Sequence, residues 1–177
     1  MNRRQALMLL TSQFGVVWLT ANGFASSGYN NPIKVYSAEQ EGYIRAPRVN
    51  RSEAEWRQLL TSEQYHILRE QGTERAFTGE LLDNKEHGTY RCAGCGNDLY
   101  HSEHKFKSGT GWPSFYRAIA PENVSTRVDK SLFMVRNELI CSRCDSHLGH
   151  IFDDGPQPTG KRHCINSVSL EFQSLPR

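Results

Sequence analysis

The sequence has little of what would mark an unusual protein. Five cysteines in 177 residues are too few for a disulfide-dense mini-protein. Net charge is scarce too, with 21 Lys and Arg set against 19 Asp and Glu and the two signs interspersed. That leaves no basic surface for nucleic acid and no polybasic segment for an anionic membrane. There is no internal repeat, which excludes solenoids and propellers. What is present is globular: 37% apolar side chains plus 14 glycines, at a length that suits one domain. The cysteine count is odd, so the five cannot all pair with one another and a lone thiol needs an explanation.

Residues 1–25 differ from the rest. Arg3-Arg4 is followed by Ala6–Leu10 and Phe14–Leu19, separated by Thr11-Ser12-Gln13, and no charge appears until Lys34. Gly23-Phe24-Ala25-Ser26 puts small residues at −3 and −1 of a cut after Ala25. These are the three regions of an export signal, and the paired arginines give it a twin-arginine character that predicts a periplasmic protein. The alternative, an uncleaved anchor, is disfavoured by the polar interruptions. Removing the segment takes the 21 basic residues to 19, equal to the 19 acidic ones. The mature chain is then neutral, with no nucleic-acid partner and no stable membrane association unless the signal stays attached. Its five cysteines would meet an oxidising compartment.

Residues 26–50, with Asn30-Asn31-Pro32 and Pro47, read as a tether with at most short extended pieces, and 51–177 as the folded domain. Ser52-x-x-Glu55 and Thr61-x-x-Gln64 are capping-box starts for two helices. Trp56, Leu59 and Leu60 supply an apolar face to the first; Tyr65, Ile67 and Leu68 begin the second, which Gly72 ends. From Tyr90 the pattern is short strands: Tyr90–Cys92, Asp98–His101, Phe133–Val135, Glu138–Cys141, His147–Phe152 and the alternating Ser167–Phe172. The expected fold is mainly antiparallel β with a small N-terminal helical hairpin.

Four cysteines form two knuckles, Cys92-Ala93-Gly94-Cys95 and Cys141-Ser142-Arg143-Cys144. Each turn can aim two thiolates at one tetrahedral ion, and together they complete a structural zinc site with no open position. Two disulfides or a redox C-x-x-C are the competing readings. Neither pair lies in a βαβ context, which favours zinc. Cys164 lies at a loop–strand junction beside Arg162 and His163, where a thiolate would be favoured. A free cysteine is also often a small buried hydrophobe. His147-Leu148-Gly149-His150 and the aromatic turn Gly111-Trp112-Pro113-Ser114-Phe115 supply imidazoles and an apolar wall. Thiolate, imidazoles and aromatic wall together fit cysteine redox or nucleophilic chemistry on a small apolar group.

These stretches, from about Ser52 to Phe172, resemble the B-type methionine sulfoxide reductases, which act on the R epimer. The resemblance implies two antiparallel sheets, with the zinc distant from the active site. It implies that Cys164 attacks the sulfoxide sulfur and becomes a sulfenic acid. His147 and His150 would handle the proton, Asn166 would position substrate and water, and Trp112 with Phe115 would form the substrate wall. Oxidised proteins are the expected substrate. Many members carry a resolving cysteine two residues before the tryptophan; here that position is Thr110. A one-cysteine cycle is therefore expected, closed by an external thiol, either a thioredoxin-like protein or a small thiol. The competing reading is a non-catalytic zinc-stabilised binding module on the same scaffold.

Overall fold

The computed structural model of the chain describes residues 31–129 and 136–175. The segment read as an export signal and the strand read at Phe133–Val135 lie outside them. Among the described residues, no helix is long and apolar enough to cross a membrane.

Both capping boxes form. In α1 (Glu53–Leu59) the Ser52 hydroxyl accepts from the Glu55 amide while the Glu55 carboxylate accepts from the Ser52 amide. Thr61 and Gln64 do the same for α2 (Ser62–Glu70). Each box satisfies donors that a helix start otherwise leaves open. Trp56, Leu60, Tyr65, Ile67 and Leu68 are buried, but Leu59 is 53% exposed. The first helix therefore buries Trp56 and Leu60 rather than all three, since Leu60 already turns away in an extended conformation. The left-handed residue that ends α2 is Gln71 (φ 60°). Gly72 serves a close approach instead: a Cβ there would lie 2.5 Å from His66 Cδ2.

The tether expected over 26–50 is corrected by the structure. Within it, β1 (Pro32–Ser37) and β2 (Gly42–Pro47) pair as an antiparallel hairpin. Val35 and Ala46 are buried. The Tyr36 amide donates to Asn123 Oδ1 at 2.8 Å, the Asn123 amide returns a bond to Tyr36 O, and the Ala38 amide donates to Asp98 Oδ2. These partners are 60 to 87 residues away, and local sequence pattern carries no trace of them.

Two larger antiparallel sheets make the body. One is ordered β5 (Lys105–Phe106), β6 (Ser114–Phe115), β10 (Arg162–Ile165), β9 (His147–Phe152), β8 (Arg136–Cys141), β7 (Val124–Asp129). The other is ordered β11 (Leu170–Ser174), β3 (Gly88–Cys92), β4 (Asp98–His101). Tyr90, Leu99 and Tyr100 from the small sheet meet Phe115, Leu139 and Ile165 from the large one in a shared core. Tyr100 stacks on Phe115 with centroids 4.3 Å apart. The helices cover the knuckle end, where Leu68 and Trp56 come within 3.6 Å of a Cβ position at Gly94.

The alternating stretch Ser167–Phe172 is not one strand. Ser167–Ser169 forms a 3-10 turn and β11 begins at Leu170. The amides of Ser167 and Val168 are taken by the buried Glu74 carboxylate at 2.7 and 3.0 Å. The Ser167 hydroxyl accepts from the Leu81 amide and the Ser169 hydroxyl donates to His147 O. Such side-chain bonds compete with the ladder and win here.

Candidate active site

Cross-strand pairing puts a polar row on one face of the large sheet. Ser114 pairs with Cys164, Cys164 with His150, His150 with Glu138, and Glu138 with Arg127. Directly paired residues share a face, so this row crosses β6, β10, β9, β8 and β7. The alternate row, with Phe115 opposite His163 and Gly149 opposite Ile165, faces the core. Gly149 is required there, because a Cβ would stand 1.9 Å from Cys164 O.

This alternation corrects two expectations. Phe115 is fully buried between Tyr100 and Tyr90, so it is a core residue and not part of a substrate wall. His163 also points away from the thiol: its Nδ1 lies 3.2 Å from Tyr100 Oη, and burial pushes its pKa down to about 4. The thiolate bias expected at Cys164 is reversed as well. Burial raises the thiol's pKa, and Arg162 together with the Thr110 hydroxyl, 4.0 Å away, offsets only part of that rise.

Cys164 opens into a cavity of about 150 Å³ shared with Trp112, His150, Asn166, Arg136 and Phe152. His150 Nε2 is 3.0 Å from Asp129 Oδ2, which Arg136 also contacts at 2.9 Å. His147 stands behind, 2% exposed by side chain, with Nδ1 2.7 Å from Glu138 Oε1 and its ring 5.4 Å from that of His150. Burial lowers the pKa of His147 against the opposing pull of Glu138. The Asn166 amide is engaged by backbone: Oδ1 accepts from the Glu74 amide at 3.1 Å and Nδ2 donates to Leu148 O at 3.2 Å. Trp112 Nε1 donates to Glu74 O at 3.2 Å, which holds the indole at the cavity edge.

The other four cysteines gather elsewhere. Their sulfurs all lie within 4.8 Å of one another, and Cys92–Cys144 and Cys95–Cys141 are 3.6 Å apart. A disulfide would need about 2.05 Å. A tetrahedral ion with sulfurs at about 2.3 Å separates them by roughly 3.8 Å. The four thiols fit one metal ion. Cys92 ends β3 and Cys141 ends β8, so an ion there ties the small sheet to the large one. Arg143 donates to Cys95 O and Pro47 O, and Arg69 to Cys144 O, so hairpin, helices and knuckles form one unit.

Residues 60–174 match the SelR domain family. The chain is 60% identical over 126 residues to the peptide methionine sulfoxide reductase MsrB of Methanosarcina barkeri, covering 71% of this chain and 89% of that protein. With MsrB of Thiobacillus denitrificans the identity is 61% over 122 residues, 69% of this chain and 92% of that one. Arabidopsis thaliana peptide methionine sulfoxide reductase B1, chloroplastic, is 49% identical over 152 residues, 85% and 72% respectively. The chain belongs to the MsrB family.

For an MsrB chain, the residues that sequence reasoning missed are the ones that hold the others. Glu74 joins Trp112, Asn166, Ser167 and Val168 through its backbone and its carboxylate. Glu138 and Asp129 fix the two histidines, and Arg136 brings a guanidinium to the cavity. None belongs to a local motif. Pairing register identifies Glu138 once β8 and β9 are aligned; Glu74 sits in an irregular segment with no such signal.

Proposed function

We propose that this MsrB-family chain reduces the R epimer of methionine sulfoxide, chiefly in oxidised proteins, through a Cys164 sulfenic acid. The observation that carries the reading is Cys164 in a small cavity walled by an indole and an imidazole. The Cys164 sulfur attacks the sulfoxide sulfur to form an S–S bond; the S–O bond then breaks as the oxygen bonds to the cysteine sulfur, and the S–S bond breaks with its electron pair returning to the methionine sulfur. Products are methionine and the Cys164 sulfenic acid, so the thiol's proton balances the oxygen that leaves. The proton that Cys164 gives up as its sulfur attacks is the one the oxygen gains. His150, in the cavity wall and braced by Asp129, is the group suited to pass it to the oxygen. His147 braces His150 from behind, and Asn166 acts chiefly as framework through its backbone bonds.

Trp112 receives the methyl group, since aromatic contacts with methyl and sulfur are favourable. Methyl, oxygen and lone pair each face a different partner, which makes the site chiral. An external thiol then attacks the sulfenic acid and releases water, and a second thiol frees Cys164 as the two external sulfurs join. The metal at the four cysteines is zinc in this reading. It contributes stability to the fold, and Cys92, Cys95, Cys141 and Cys144 would hold it. The paired-arginine N-terminus supports export to the periplasm, where thioredoxin-like domains or small thiols would recycle the enzyme.

The test is consumption of N-acetylmethionine sulfoxide with dithiothreitol as reductant, followed by dimedone trapping after one equivalent. Trapping of Cys164 alone is expected. Purified metal-loaded protein that turns over neither epimer would favour the binding-module reading.

A further inference from the structure

We propose that the groove beside the catalytic cavity binds the polypeptide flanking the oxidised methionine and favours acidic flanks; this rests on the reductase reading above. The cavity at Cys164 is about 150 Å³, below the 300–1,000 Å³ that enclose a whole ligand. It accommodates the end of one side chain, and the rest of a protein substrate must lie outside it. Trp112 also walls a second depression of about 560 Å³, whose floor includes Phe77, Leu82 and Phe106. The groove and the catalytic cavity thus share the indole as a wall.

Phe77 is built for contact. It is 69% exposed and holds φ at 67°, a left-handed backbone that a bulky side chain adopts only at a cost. Its amide donates to Gly111 O at 2.8 Å. A Cβ at Gly111 would come within 2.9 Å of both Ala76 Cβ and Phe77 Cδ2. The two loops interlock and hold an exposed ring at the groove beside Trp112. An exposed phenyl contributes little to the fold, and in the groove it offers an apolar anchor to a bound chain.

The charge pattern selects the flanks. Lys85 and Lys107 are exposed on the groove, and among the described residues Asp83 is the one acidic side chain lining it. Lys105 is committed inward, its Nζ donating to Leu82 O at 2.6 Å and Asn84 O at 2.9 Å. With Lys85 and Lys107 set against Asp83, the exposed lining is net positive and complements Asp or Glu next to the methionine.

The experiment uses the full chain with dithiothreitol and R-sulfoxide substrates of three kinds. These are N-acetylmethionine sulfoxide amide and two peptides of equal length, one flanked by Glu and one by Lys. The parent is expected to prefer the Glu-flanked peptide. Phe77→Ala should lower kcat/KM about tenfold on both peptides, through KM, and leave the blocked amino acid within about twofold. The surface double variant Lys85→Glu/Lys107→Glu should reverse the order of the two peptides. Equal losses on all substrates, or no change in either variant, would overturn the inference. So would losses seen only with a thioredoxin-like protein as reductant, which would assign the groove to that partner. A parent inactive on the blocked amino acid would instead sink the reductase reading itself.

Discussion

Replacing Thr110 by cysteine should convert the proposed one-cysteine cycle into an intramolecular one. Thr110 Oγ1 lies 4.0 Å from Cys164 Sγ, and the two residues are 54 positions apart in sequence. Two sulfurs in a disulfide sit at about 2.05 Å, so the introduced thiol must approach by roughly 2 Å. The turn that carries position 110 has left-handed glycines on both sides, Gly109 (φ 78°) and Gly111 (φ 96°), and a small rotation there closes the gap. Once Cys164 is a sulfenic acid, the neighbouring thiol attacks it and expels water, at an effective concentration far above that of any external thiol. Closing a loop of about 55 residues in the unfolded chain is worth up to about 4 kcal/mol to the oxidised form. For a chain of this size that corresponds to a Tm rise of roughly 10 °C, less any native strain. The assay is intact mass after one equivalent of sulfoxide. The parent should gain one oxygen, about 16 Da, while Thr110→Cys should lose about 2 Da and resist dimedone. A Thr110→Cys protein that keeps a trappable sulfenic acid would refute the view that position 110 is where the resolving group belongs.

Cys95→Ser should abolish stoichiometric zinc and sharply lower soluble yield, because structural zinc contributes on the order of 10 kcal/mol, comparable to a whole domain's stability; equal Tm for variant and parent would contradict this. Cys164→Ser should remove turnover and leave Tm and zinc content unchanged, as read by calorimetry and metal analysis. Phe115→Ala should cost about 3–5 kcal/mol in urea unfolding as a core cavity, whereas Trp112→Ala should raise KM for sulfoxide with little loss of stability. Burial holds His163 near a pKa of about 4, below the roughly 6.5 of an unfolded histidine. The unfolded chain therefore binds more protons between those values, and stability falls as pH drops through that window, with a slope of at most about 1.4 kcal/mol per pH unit. Holoprotein carrying His163→Gln should show a shallower decline in urea stability from pH 7 to pH 5.

Much of the site is legible in the sequence because its chemistry is written in short, ordered stretches. The knuckles announce themselves by C-x-x-C spacing, and β9 is read correctly because His147–Phe152 carries both the histidines and a strand pattern. The capping boxes are legible for the same reason: donor and acceptor lie three residues apart. What sequence misreads depends on distant partners. The hairpin β1–β2 docks through Asn123 and Asp98, and Ser167–Ser169 leaves the strand conformation because Glu74 claims its amides from 93 residues away. Phe115 reads as substrate wall by proximity to Trp112; strand alternation turns it to the core beside His163, away from Cys164. The thiol's raised pKa escapes sequence reasoning because burial, which sequence does not report, outweighs the nearby Arg162.

The central claim is that Cys164 alone carries the oxygen removed from one epimer of methionine sulfoxide. The most direct measurement is single-turnover reduction of the racemic sulfoxide by metal-loaded protein without added thiol, with mass spectrometry of the protein and chiral analysis of the residual substrate. The account predicts one methionine per chain, loss of the R epimer only, and one added oxygen confined to Cys164. Consumption of both epimers, or a disulfide joining Cys164 to any of Cys92, Cys95, Cys141 and Cys144, would contradict it.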